Sequence, residues 1–113
     1  MIIIVNRDLK MGAGKTAGQC CHGVSDVVER LLSTNRATHK KWKKSGQEKI
    51  VKKANQRTIE HLLDLYGKSK TFWCIPTYDQ GKTEVEHGSF TVLTFCPIAH
   101  MDIPDDIHEL SLL

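Results

Sequence analysis

Five apolar residues, Met1-Ile2-Ile3-Ile4-Val5, open the chain and stop abruptly at Asn6-Arg7-Asp8. Glycines follow at positions 12 and 14. From Ala17 the apolar residues Cys20, Cys21, Val24, Val27, Val28, Leu31 and Leu32 recur at spacings of three and four. A short continuous apolar run reads as a buried strand, and a three-to-four spacing reads as one face of a helix. The chain therefore begins with a strand, a glycine-containing loop from Asp8 to Gly14, and a helix from Lys15 to about Ser33. A strand that feeds a helix in this way has to be covered on its faces, which points to an α/β layered domain.

The rest of the chain repeats that alternation. Ala37 to Ser45 reads as a short basic helix around Trp42, broken by Gly46, and Lys49 to Lys52 reads as a second strand. Asn55 is a suitable cap for a helix through Ile59, Leu62, Leu63 and Tyr66, with Gly67 as its stop. Thr71 to Tyr78 is a third strand whose Pro76 should weaken pairing at that end. Asp79 to Gly88 is a loop, Ser89 to Cys96 a fourth strand, and Asp102 to His108 a short terminal helix. Strands alternating with helices imply a mostly parallel or mixed sheet. At 113 residues, with 40% hydrophobic side chains, one domain spanning 1–113 is expected.

Composition excludes several classes. No apolar run approaches the roughly 18 to 20 residues of a membrane span, so no membrane association is expected. The apolar start lacks a basic leader, so it reads as a strand, and a cytosolic location follows as the expectation. Cys20, Cys21, Cys74 and Cys96 form no Cys-x-x-Cys pair. They read as reduced, buried core residues, and no metal site or cofactor is expected. The net charge of +3 is unevenly spread. Eight Lys/Arg and one acid, Glu48, lie between Arg36 and Lys53, whereas His100 to Leu113 holds four acids and no Lys/Arg. Such a basic cluster fits a polyanionic partner, or equally a solvated helix face.

Two stretches carry chemistry. The first is Lys10-Met-Gly-Ala-Gly-Lys-Thr-Ala-Gly-Gln-Cys-Cys-His22. A glycine loop between strand and helix offers backbone N–H groups to an anion. The phosphate-loop motif needs a further glycine five residues before Gly14, and position 9 is Leu9, so a nucleotide-hydrolysing reading fails. On a helical wheel Lys15, Gln19, His22 and Asp26 share a stripe opposite Ala17, Val24 and Val28. That stripe is either a functional face or simply a wet one. The second stretch is Thr77-Tyr-Asp-Gln-Gly-Lys-Thr-Glu-Val-Glu-His-Gly-Ser89, which by itself reads as a turn with Asp79 and Thr83 bonding the backbone. Sites in open α/β sheets lie beyond the carboxyl ends of strands. If the first and third strands run the same way, the two stretches meet, bringing Lys10, Lys15, Gln19, Asp79 and Thr83 together.

The run Lys-Met-Gly-x-Gly-Lys…Gln-Cys-x-His, with Asp-x-Gly-Lys-Thr, Gly-Ser and Thr91-Val92-Leu93 behind it, closely resembles the second, archaeal and eukaryotic family of peptidyl-tRNA hydrolases. Trp42…Ser45-Gly46-Gln47…Lys49-Ile50-Val51 is similar to that family as well, so the likeness covers nearly the whole chain in order. The resemblance implies a single-domain, four-stranded mixed β-sheet flanked by helices on both faces, and often a homodimer. It implies metal-free hydrolysis of the ester between peptide and tRNA. Its functional positions match Lys10, Lys15, Gln19, His22, Asp79, Thr83 and Ser89. The sequence departs from the family at Lys82, Glu84, His87 and Ile107 to Ser111, which leaves a non-catalytic RNA- or protein-binding paralogue as the alternative.

Ester hydrolysis needs an activated water, support for the oxyanion and a proton for the leaving hydroxyl. Asp79 is the candidate to orient or deprotonate water, and Lys15 to stabilise the oxyanion or a phosphate. Gln19 and Thr83 would hydrogen-bond the water or carbonyl. His22 is either a proton shuttle or a packed histidine. Gly12, Gly14 and Lys10 would meet substrate at the loop, and Lys40, Lys41, Lys43 and Lys44 would meet tRNA phosphates. Ser89 lacks a Gly-x-Ser-x-Gly turn and reads as a substrate-binding loop end rather than a nucleophile.

Overall fold

The structure is a computed structural model that describes residues 1–80, 86 and 88–113. Four strands, β1 (Ile2–Asn6), β2 (Ile50–Ala54), β3 (Cys74–Tyr78) and β4 (Phe90–Phe95), form one mixed sheet in the order β2-β1-β4-β3. β1 pairs parallel with β2 and antiparallel with β4, and β3 is antiparallel to β4. β1 and β3 therefore point the same way, and the segments leaving them emerge at one edge of the sheet. The four-stranded mixed sheet expected from the resemblance is present.

Period-two alternation sorts the two faces. Ile3, Val5 and Val92 face one side, where Cys20 and Val24 of α1 (Ala13–Thr34) pack on them. Ile2, Ile4, Leu93 and Phe95 belong to the larger cluster with Ile59 and Leu62 of α3 (Gln56–Tyr66). Helices thus cover both faces. Asn55 caps α3 as expected, its side chain accepting from the Thr58 N–H at 2.8 Å, an interaction of a kind typically worth about 1 kcal/mol. The Asp8 carboxylate accepts the Gln56 N–H at 2.9 Å and ties the segment after β1 to the start of α3.

Several boundaries differ from expectation. α1 starts at Ala13, so Gly14 lies in its first turn and Gly12 is its cap. Its buried row is Gln19, Gly23, Val27 and Leu31, an i, i+4 series that drifts around the helix as it proceeds. Ala17 and Cys21, expected inside, are exposed, and Gln19, expected on a polar stripe, is buried. Gly23 is where α1 lies directly on the sheet: an added Cβ would sit 2.1 Å from Thr94 Oγ1. β3 begins at Cys74 rather than Thr71, because the Ser69 hydroxyl accepts from the N–H groups of Thr71 and Phe72 and holds them in a turn. β3 is an edge strand, which is how Pro76 is tolerated, and its register shifts between Thr77 and Tyr78.

The four cysteines are free. Cys74 and Cys96 are buried, and burial pushes the Cys74 thiol up to about 12 and raises that of Cys96. Cys20 is half-buried. No helix among the described residues is long and apolar enough to cross a membrane.

Candidate active site

β3 ends at Tyr78, and alternation turns Thr77 and Asp79 towards α1 and Tyr78 towards α3. Asp79 is only 2% exposed, and its carboxylate is paired with the Lys15 ammonium from the first turn of α1. Its backbone is held as well: the Asp79 N–H donates to the Ser89 carbonyl at 2.9 Å, and the Gly88 N–H donates back to the Asp79 carbonyl at 2.8 Å. Gly88 adopts φ of +84°, a left-handed conformation that favours glycine. The chain thus fixes a carboxylate on the rim of the sheet and places a cation against it from a separate element.

One turn further along α1, the side chain of Gln19 meets Thr91. The Thr91 hydroxyl lies 2.6 Å from the Gln19 amide and 3.1 Å from the Thr77 carbonyl. A hydroxyl has one proton, and Thr91 donates it to the nearer acceptor, the Gln19 amide oxygen, with the Thr77 carbonyl a longer second contact. The Gln19 NH₂ group is left as a donor for water or substrate.

Lys15, Gln19, His22, Asp26, Thr77 and Asp79 line a cavity of about 530 Å³, open to solvent, between α1 and the end of β3. The polar stripe of α1 is therefore one wall of a cleft and not merely a wet face. His22 is exposed on the rim and is not packed in the core. The Thr77 hydroxyl is buried and has no hydrogen-bond partner among the described residues. Among those residues, no three His, Cys, Asp or Glu side chains converge as a metal centre requires.

The remaining sequence candidates fall in different places. Gly12 and Gly14 stand at the start of α1, where first-turn N–H groups have no intrahelical acceptor. Lys10 is exposed and left-handed, with φ of 51°, on the connection from β1. Ser89 is half-buried and lines a second cavity on the α3 side rather than the cleft beside Lys15. Thr83, with Lys82, Glu84 and His87, lies outside the described residues. Lys40, Lys41, Lys43 and Lys44 are exposed on α2 (Arg36–Lys44), anchored through buried Trp42, whose indole N–H donates to the Glu48 carbonyl at 3.0 Å. α1 has 22 residues, so α2 follows it after roughly 33 Å, at the opposite end of the sheet from Asp79. The acids of the C-terminal segment do not line the cleft.

Thr91, Thr77 and Asn6 are not legible as site residues in the sequence. Asn6 is buried, donates through Nδ2 to the Phe90 carbonyl at 2.9 Å, and also bonds Gln56. It thereby holds the ends of β1, β4 and α3 together beneath the site. The one sequence hint is a polar residue closing an apolar run.

A carboxylate held beside an ammonium, with an amide and hydroxyls around water-accessible space, is the equipment of a hydrolytic site. The family model for peptidyl-tRNA hydrolase PTH2 matches residues 1–113, and the chain belongs to that family. It is 34% identical over 121 residues to a peptidyl-tRNA hydrolase of Saccharolobus islandicus, a match that covers 100% of this chain and 98% of that protein. It is also 37% identical over 98 residues to "Peptidyl-tRNA hydrolase 2, mitochondrial" of Bos taurus and of Homo sapiens, covering 86% of this chain. Those matches cover 54% of the mammalian proteins, so the chain spans about half the length of these relatives.

Proposed function

We propose that the chain hydrolyses the ester joining a peptide, or an N-blocked aminoacyl group, to tRNA, releasing free tRNA and peptide without a metal or cofactor. The observation that carries the reading is the Lys15–Asp79 pair, buried at the rim of an open cleft within a family of peptidyl-tRNA hydrolases. Water adds to the ester carbonyl as Asp79 orients it and accepts its proton. The Lys15 ammonium supports the oxyanion, and the tetrahedral adduct collapses as the ribose hydroxyl leaves with a proton. The Gln19 side chain, its amide oxygen fixed by Thr91, positions the water or carbonyl through its NH₂ group. Thr83 would add a further hydrogen bond. His22, exposed on the rim, would pass protons to solvent. Lys10, Gly12 and Gly14 contact substrate around the ester, Ser89 contacts it from the cavity on the α3 side, and Lys40, Lys41, Lys43 and Lys44 hold phosphates remote from it. A homodimer and a cytosolic location complete the proposal, testable by light scattering and by fractionation.

The test is release of a labelled N-acetyl-aminoacyl group from tRNA by the purified chain, with and without EDTA. Turnover should survive chelation. Asp79→Asn and Lys15→Met should each lower kcat by roughly 10² to 10⁴-fold, the range of a lost acid–base or charge-stabilising group. Retained turnover in both variants removes the site assignment. Loss on chelation that zinc or magnesium restores removes the metal-free mechanism. Binding of tRNA by the parent chain without turnover favours the non-catalytic paralogue.

A further inference from the structure

Tyr78 and Asp79 are neighbours in sequence but point to opposite faces of β3, and Tyr78 borders two cavities. One is the Lys15–Asp79 cleft on the α1 side. The other, also about 530 Å³, lies on the α3 side and is lined by Leu9, Leu63, Phe90, Glu60 and Asp64 with Tyr78. Tyr78 is 48% exposed, and its ring rests against Phe90 with centroids 5.3 Å apart. An exposed, supported aromatic on the divide between a reaction site and a second cavity is a surface over which a ligand can run from one to the other.

The proposed substrate is a molecule with two arms that diverge from one carbonyl. The tRNA arm carries phosphates and the peptide arm does not. The second cavity has apolar walls and two carboxylates, and no Lys, Arg or His among its described lining residues. Glu60 is held in that wall, its carboxylate accepting from the Gln56 amide at 2.6 Å. The Gln56 amide oxygen in turn accepts from buried Asn6. Phosphates are repelled by such a lining, while apolar and cationic side chains are accepted. We infer that this cavity is the subsite for the peptide arm, which crosses Tyr78 from the ester, and that it favours a basic residue next to the ester-bearing one. The inference rests on the hydrolase reading above.

Two substrates test it: N-acetyl-Lys-Ala and N-acetyl-Glu-Ala esterified to the same tRNA, so that only the preceding residue changes. The parent chain should turn over the lysyl substrate with kcat/KM about fivefold above the glutamyl one at low salt, and the ratio should shrink as salt rises. Replacing Glu60→Lys and Asp64→Lys together should invert the order. If that pair does not fold, as judged by its thermal melt, Glu60→Gln with Asp64→Asn should bring the ratio close to one. Equal kcat/KM for both substrates in the parent, or an unchanged ratio in a folded variant, overturns the subsite and leaves the hydrolase reading standing. No release from either substrate overturns the hydrolase reading, and the subsite with it.

Discussion

One methyl group separates Gly23 from alanine, and the structure has no room for it. The added Cβ would meet Thr94 Oγ1 at 2.1 Å and Thr94 Cβ at 3.2 Å, both on the central strand β4, where neither the helix nor the sheet gives easily. Overpacking of this kind typically costs about 1–3 kcal/mol. Because α1 also carries Lys15 and Gln19, relief by lifting the helix moves both away from Asp79 and Thr91. Gly23→Ala should therefore lower the thermal midpoint and kcat together. A variant that melts lower yet keeps full kcat would show that α1 yields at Gly23 without moving its first turn. The same residue shows the limit of periodicity as a guide. Glycine adds nothing to an apolar pattern, so the position of closest helix–sheet approach is invisible in the sequence. Gln19 falls off the core on a fixed wheel, whereas the buried row advances by about 40° with each i, i+4 step.

Among the elements, the most legible are those whose ends carry a chemical stop. α3 is capped by Asn55 and ends before Gly67, as expected, because a capping carboxamide is a local signal; Gly67 itself stays right-handed, with φ of −55° and ψ of −32°. β3 is less legible. Its start depends on the Ser69 side chain competing for backbone N–H groups, and its tolerance of Pro76 depends on being an edge strand, a property of the sheet as a whole. The convergence of the two motif-bearing stretches is legible only as a condition, that β1 and β3 run the same way. The strand order meets that condition through β4, antiparallel to both. α2 is legible as short and basic, but its position is not. It lies at the far end of α1 from the cleft, so its lysines cannot touch an ester held by Asp79. If they meet tRNA, they meet phosphates a helix length away and contribute affinity rather than chemistry. Neutralising Lys40, Lys41, Lys43 and Lys44 to Gln should raise KM and leave kcat little changed. The salt dependence should flatten by about 0.9 in log–log slope for each duplex phosphate that is no longer neutralised. An unaltered slope would assign these lysines to solvation alone.

At the scale of the whole molecule the two edges of the sheet are treated differently. The β3 edge borders the cleft. The β2 edge is covered by the C-terminal segment, whose Ser111 carbonyl accepts the Lys53 N–H and whose Leu113 N–H donates to the Val51 carbonyl, each at 3.0 Å. Pairing an otherwise open edge in this way blocks unwanted strand addition. Residues 109–113 give no sign of the pairing, because it depends on Lys52. That lysine is 7% exposed, and its ammonium donates to the His108 and Leu110 carbonyls at 2.9 Å each, just where α4 (Asp105–His108) ends. Lys52→Met keeps most of the stem and removes both charge-assisted bonds. Such bonds contribute roughly 1.5–3 kcal/mol each at most, and water can reach the exposed His108 position, so a net loss of about 1–2 kcal/mol is expected. In a domain of this size that lowers the thermal midpoint by roughly 5–10 °C. The Lys53 amide should then exchange with solvent much faster than in the parent, while amides of β1 and β4 keep their protection. Ester turnover should be retained below the new midpoint, because β1 and β4 stand between β2 and the cleft. An unchanged midpoint with a protected Lys53 amide would mean that the backbone pairing holds the segment by itself. A large fall in kcat at temperatures where the variant is folded would mean that the two edges are coupled through the sheet.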